Sequence, residues 1–294
     1  MLLDRPYHAK ILLFGEYTIL NGSMALAIPY DEFSGKWSFA PLDTDVARSS
    51  HEILKGFSLN HPTHDLSLEL MKHDLSKGLW FDSNIPHGFG LGSSGALIAA
   101  IYEAYSVGKG NLLEDKDLLA RLEDYFHGSS SGIDPLVSLI NKNLLIHDFN
   151  NVSLLEKELN LSGFFLLNTG KPRNTGPLVS IYQEKMKDPE FKRGCAEILS
   201  REVNFAIRAL IDNDRSNLFH HLWLISKFQW EYFPEMIPTQ MRGLWSQGLE
   251  TGNYVLKLCG AGGGGFILGY SDKLSQSSLG EIFSQNEFRE LAAP

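Results

Sequence analysis

The chain has 294 residues, 43% hydrophobic and 21% charged, with a formal net charge of −9. That length allows two modest domains with ordinary globular cores, and the acidic balance argues against general nucleic-acid or anionic-membrane binding. Apolar runs are too short to span a bilayer, Asp4 and Arg5 interrupt the start so that no signal peptide is expected, and Cys195 and Cys259 give neither a disulfide framework nor metal-ligand spacing, so a reduced, cytoplasmic protein is expected.

In chain order, residues 10–20 read as a strand, Asn21-Gly22 as a two-residue hairpin turn, and residues 24–28 as the returning strand. Residues 34–40 and 65–71 alternate in the manner of further strands, while the polar stretch 42–64 reads as loop or a short helix. Residues 78–84 form a strand that leads into Pro86-His87-Gly88-Phe89-Gly90-Leu91-Gly92-Ser93-Ser94-Gly95-Ala96-Leu97. An apolar helix should follow to about Val107, stopped by Gly108. Asp117 reads as the N-cap of a helix through Tyr125, and Asp134-Pro135 as N-cap and first residue of a helix to Ile140. Strands are expected at 144–146 and 164–168, helices near 176–186, 190–212, 216–231 and 239–250, strands at 255–258 and 266–270, and a last helix near 274–285. The strand-rich first part and helix-rich second part imply an α+β arrangement.

The glycine run opening a helix suits an anion. Its main-chain amides meet the positive end of the helix dipole, and glycine lets the backbone come close. Three readings compete. Gly90, Gly92 and Gly95 satisfy G-x-G-x-x-G, but that fingerprint belongs at the end of a first strand in a βαβ unit. The Walker A form lacks its lysine here. A plain turn with Ser93 or Ser94 as N-cap is the bland alternative. For Asp134 the bland role is likewise a helix cap, for Glu123 a solvated helix face, and for Lys10 a snorkelling strand residue. His127 reads as a structural hydrogen-bonding residue.

Three other segments bear on the choice. They are the start His8-Ala9-Lys10-Ile11-Leu12-Leu13-Phe14-Gly15-Glu16-Tyr17, the acidic stretch around His127-Gly128-Ser129-Ser130-Ser131-Gly132-Ile133-Asp134, and a second glycine loop at Gly260–Gly265. In this order and spacing they resemble the signature motifs of the GHMP kinases. The E-x3-H-G-x-x-S-G-x-D pattern from Glu123 to Asp134, and Asn168-Thr169-Gly170-Lys171-Pro172-Arg173-Asn174-Thr175, are similar to the mevalonate kinase branch. The resemblance runs from about residue 8 to residue 270.

It implies a two-domain fold: a ribosomal-S5-like α/β domain over residues 1–155 and a ferredoxin-like, helix-rich domain over 156–294, with the active site in the cleft between them. It implies an ATP-dependent small-molecule kinase using Mg2+, with mevalonate as the first acceptor to consider. Phosphomevalonate, homoserine or a sugar are alternatives, as are a diphosphomevalonate-decarboxylase-type lyase and a non-catalytic metabolite binder. In that family Asp134 would be the catalytic base with Lys10 assisting, and Ser94 and Glu123 would hold Mg2+. Pro86, Gly88, Gly90, Leu91, Gly92, Ser93, Ser94, Gly95 and Ala96 would bind the nucleotide. Lys10, Glu16, His127, Ser131, Gly132 and Asp134 would face the substrate, together with Arg173, Thr175, Gly262 and Gly263. The partner is a small-molecule alcohol, and the protein a monomer or homodimer. The chain departs from the pattern at His8-Ala9, where Pro-Gly is usual, and at Tyr17, where histidine is usual. Gly95 replaces alanine and Ser130 replaces proline. These departures bear on the substrate rather than the fold.

Overall fold

In the computed structural model, which describes residues 4–60, 64–108, 110–148, 151–173 and 175–291, the chain opens with strand β1 (Tyr7–Phe14), a 3-10 turn (Thr18–Asn21) and the long strand β2 (Ala25–Ser38). Helices α1 (Asp45–Asn60) and α2 (Leu68–Ser76), strand β3 (Trp80–Ser83) and helices α3 (Ser93–Tyr105), α4 (Lys116–His127) and α5 (Ile133–Ile140) follow. Then come β4 (Leu144–Asp148), β5 (Asn151–Leu154), β6 (Phe164–Asn168), α6 (Thr175–Lys185) and α7 (Pro189–Arg193). A π-helical stretch (Gly194–Leu199) runs on into α8 (Ser200–Ile211), followed by α9 (Arg215–Tyr232) and α10 (Arg242–Thr251). Strands β7 (Val255–Leu258) and β8 (Phe266–Tyr270), helix α11 (Gln276–Ile282) and β9 (Phe288–Glu290) complete the chain. The α+β architecture expected from the sequence is the one observed.

Two compact units result. The first comprises Met1–Ile11, Ile28–Pro86 and Leu91–Asn143, and the second Leu12–Ala27, His87–Gly90 and Leu144–Pro294. In the first, the far end of β2 pairs antiparallel with β3, from Gly35 opposite Ser83 to Ser38 opposite Trp80. Trp37 lies edge-on to Phe81 and Tyr105 in the core of this unit. Helix α3 packs along α5, and Gly95 lets the two backbones come close, since a Cβ there would lie 2.9 Å from Pro135 N. In the second unit the start of β2 pairs with β4, and β4 with β5. A separate antiparallel sheet has the order β7-β8-β6-β9. Its central strands β6 and β8 are nearly continuous apolar runs, buried along their length, as strands covered on both faces must be. Helix α9 packs with α8 and against β7.

Three expectations need correction, and a fourth, for residues 42–64, is settled in favour of its helical alternative. Asn21-Gly22 closes no hairpin: the strand stops at Phe14, and Gly22, at φ 82, ends the 3-10 turn by donating its N–H to the Ile19 carbonyl. A Ser23–Thr18 hydroxyl bond of 2.7 Å secures that turn. Residues 65–71 are not a strand. Leu66 alone bridges to Ser106, and the buried Met71, Asp74 and Leu75 recur at helical spacing in α2. The polar 42–64 stretch holds the 16-residue helix α1. Its buried face includes His51, whose Nδ1 lies 2.6 Å from the Leu79 carbonyl, so polar residues mask the helical period. Asp117 is not the cap of α4. Asp115 precedes the helix, and its carboxylate accepts from Tyr102 Oη and, at 3.2 Å, from the Gly110 N–H.

Candidate active site

Strand β1 delivers Lys10 to the glycine loop. The Lys10 N–H donates to the Leu91 carbonyl at 2.9 Å, which ties the loop to the strand. Gly92, at φ 75, turns the chain into α3 with no side-chain cap. A Cβ there would stand 2.9 Å from Lys10 Cγ and 3.7 Å from Asp134 Oδ2, so glycine is what lets this backbone lie against both groups. The first-turn amides of α3 gather partial positive charge at this point.

Asp134 is the second residue of α5, after Gly132 at φ 73, and the helix start carries no side-chain cap bond. Its carboxylate instead meets Lys10, with Nζ 2.8 Å from Oδ1. The Lys10 side chain is 6% exposed and that of Asp134 34%, so the pair has a buried cationic end and an open anionic end. Ser94 is likewise no cap: its Oγ donates to Glu123 Oε1 at 2.9 Å. Ser130 Oγ donates to Glu123 Oε2 at 2.5 Å. Glu123 is 3% exposed. Burial pushes its carboxyl up to about 7, and the nearby Asp134 carboxylate adds to the rise. The two hydroxyls and Lys10 pull the other way with smaller effect. Among the described residues no group of three or more His, Cys, Asp or Glu is placed to hold a metal ion. The oxygens of Ser94 and Glu123 are hard donors of the kind Mg2+ takes, one or two at a time, alongside phosphate.

The second unit holds another set. Arg173 donates its N–H to the Gly88 carbonyl at 2.8 Å and Nη1 to the Cys259 carbonyl at 2.7 Å. Its guanidinium lies against Gly90 and Gly260. Thr175 opens α6 and is exposed. Glu16 is buried with Lys257, Nζ to Oε1 2.6 Å, and burial raises its carboxyl in spite of that partner. Tyr17, at φ 63, stacks on Tyr182 and donates its hydroxyl to the Ala261 carbonyl at 2.8 Å. Gly263 N–H donates to Met236 O at 2.6 Å, and Gly262 abuts the same carbonyl.

Of the residues singled out from sequence, Lys10, Gly92, Ser94, Gly95, Glu123 and Asp134 thus converge within the first unit. Gly88, Gly90 and Arg173 converge within the second, where Glu16 reaches the Gly260 amide at 3.5 Å. Leu91, Gly92, Gly95 and Ala96 are buried, whereas Pro86 and Ser93 are half-buried. Ser131 accepts the Ile133 N–H at 3.4 Å. His127 ends α4, and its side chain lies outside the described residues. Two participants escaped the sequence reading. Ser130 was visible only as a departure from a motif. Lys257 had a signal: a lysine inside the apolar strand Val255–Leu258 needs a buried partner.

A family model for the GHMP kinases N terminal domain matches residues 63–142. A mevalonate kinase of Pyrococcus abyssi is 27% identical over 238 residues, covering 69% of this chain and 68% of that protein. One of Thermococcus onnurineus is 31% identical over 159 residues, 45% of this chain, which spans about half (48%) of the relative's length. The crystal structure of L. major mevalonate kinase in complex with R-mevalonate superposes with a TM-score of 0.65 at 16% identity, covering 98% of this chain and 96% of that one. The N-terminal domain match, the mevalonate kinase relatives and the shared fold thus all point to a likeness to the GHMP kinases.

Proposed function

We propose that the chain is an ATP-dependent kinase that transfers the γ-phosphoryl group to the primary hydroxyl of mevalonate. The observation that carries the reading is the Lys10–Asp134 pair of 2.8 Å held beside Gly92. Phosphoryl transfer needs positioning and charge compensation more than covalent help. The α3 amides and the glycine loop bind the phosphates. Asp134 Oδ1 is committed to Lys10, so Oδ2 receives the proton of the acceptor hydroxyl. The Lys10 ammonium compensates the charge on that carboxylate. Ser94 and Glu123 would hold Mg2+, which when bound neutralises charge building up on the phosphate oxygens. A cation there also suits Glu123, a buried carboxyl with elevated proton affinity. Arg173 has five donors and one bond to Cys259. We assign it, with Thr175, to the acceptor's carboxylate.

The test is ADP release with mevalonate, its phosphates, homoserine and hexoses in parallel, using an Asp134 variant as control. Mevalonate should give the largest kcat/KM. Release with no acceptor above the control, or CO2 release from diphosphomevalonate, would refute the assignment.

Gly95 offers a second check. A Cβ at this position would lie 2.8 Å from the Asp134 carbonyl carbon and Cβ and 2.9 Å from Pro135 N, and backbone cannot swing aside. Gly95→Ala should therefore displace the first turn of α5. We expect kcat to fall on the order of 10- to 100-fold, as a misplacement of about 1 Å does. Stability should drop by about 1–3 kcal/mol, as for overpacking. Kinetics and thermal unfolding read the two effects; unchanged kcat would mean that the α3–α5 approach does not set the base.

A further inference from the structure

The Glu123 carboxylate is gripped at both oxygens, by Ser94 from α3 and by Ser130 from the loop between α4 and α5. The Ser130 hydroxyl has a second task. Its oxygen accepts the Gly132 N–H at 3.0 Å, closing a short serine turn immediately before α5. Gly132 itself is wedged against α4, since a Cβ there would lie 2.2 Å from the Lys116 carbonyl.

We propose, building on the kinase reading above, that Ser130 is a positioning residue of the phosphoryl-transfer site. One hydroxyl fixes two things at once. Its proton holds Glu123 Oε2, so the carboxylate cannot rotate without breaking a bond at one oxygen or the other. Its lone pair holds the peptide that starts α5, two residues before Asp134. The metal-side carboxylate and the base-bearing helix are thereby locked to one atom. Proline, which mevalonate kinases usually carry at this place, would stiffen the loop through its ring but has no proton to give. Without the Ser130 hydroxyl, Glu123 keeps one buried oxygen unpaired. Its carboxylate then has to reorganise before meeting a cation. Outer partners of this kind are worth about 10- to 100-fold in metal affinity or activity.

The test compares the wild type with Ser130→Ala and Ser130→Thr in three measurements. These are Mn2+ binding to the protein with ADP, followed by electron paramagnetic resonance without turnover; kcat and the KM for ATP; and thermal unfolding. Ser130→Ala should bind Mn2+ about tenfold more weakly and lose about tenfold in kcat, with the KM for ATP changed by less than about twofold. Ser130→Thr, which keeps the hydroxyl, should restore both. Wild-type Mn2+ affinity and kcat in Ser130→Ala would overturn the proposal. Equal losses in the alanine and threonine variants at unchanged melting temperature would also overturn it, because loop shape and not the hydroxyl would then matter. A wild type with neither ADP-dependent Mn2+ binding nor turnover would remove the kinase reading itself and this proposal with it.

Discussion

Asp134→Asn is expected to lower kcat with mevalonate by about 10³-fold, within the range for loss of a general base, while ADP binding stays near the wild-type value. The substitution keeps the shape of the side chain, and its amide oxygen can still accept from Lys10 at the place of Oδ1. The proton-accepting oxygen is what disappears. A 10³-fold loss corresponds to about 4 kcal/mol of barrier, more than one neutral hydrogen bond supplies. The Gly92 amide and the start of α3 are untouched, so nucleotide affinity is the internal control. Lys10→Met should also be slow. It leaves Asp134 without the ammonium that neutralises it, and the double variant should be little worse than Asp134→Asn alone, because the pair acts as a unit. Turnover of Asp134→Asn within about tenfold of the wild type would show that the hydroxyl loses its proton without this carboxylate. Additive losses in the double variant would show that the two residues act apart.

What the sequence made legible follows from how local each signal is. Strands β6, β7 and β8 read correctly because apolar runs bounded by glycine or polar residues need no distant partner to be recognised. The Asn21-Gly22 pair misled because a left-handed glycine serves a helix end as well as a hairpin. Helix α1 was expected only as a short helix, and as an alternative to a loop, because its buried face uses Ala47, His51 and Ser58 beside Leu54 and Phe57. The His51 bond that makes this affordable reaches a residue far along the chain. At the site, Lys10, Ser94, Glu123 and Asp134 could be picked out by motif spacing, and the structure gathers those four. Spacing says nothing of what a side chain touches. Ser94, a candidate helix cap in the sequence, holds the Glu123 carboxylate together with Ser130, and Asp134 faces an ammonium instead of its own helix amides.

Glu123→Gln should separate stability from activity. In the metal-free protein burial raises the Glu123 carboxyl from 4.5 to about 7. The folded state therefore binds the proton more tightly than the unfolded chain does. Its contribution is fully favourable below about pH 4.5 and is lost as pH climbs toward 7, so that above 7 the folded protein carries a buried charge at a cost of roughly 3 kcal/mol as an upper bound. Glutamine removes the charge while its amide can still meet the Ser94 and Ser130 hydroxyls. At pH 8, without metal, Glu123→Gln should melt several degrees above the wild type, roughly 5 °C if most of that cost is recovered. At pH 4.5 the two should melt together. Activity moves the other way: losing the anionic oxygen should cut kcat about 100-fold and weaken Mg2+ dependence, because the cation loses its charged protein ligand. Mg2+ with ADP should then stabilise the wild type more than the variant, since a cation converts the buried carboxylate from a burden into a ligand. Thermal unfolding across pH, with and without Mg2+ and ADP, reads all of this. A variant less stable than the wild type at pH 8 without metal would mean that Ser94, Ser130 and Lys10 already satisfy an ionised Glu123. The carboxylate would then have no electrostatic need of a cation.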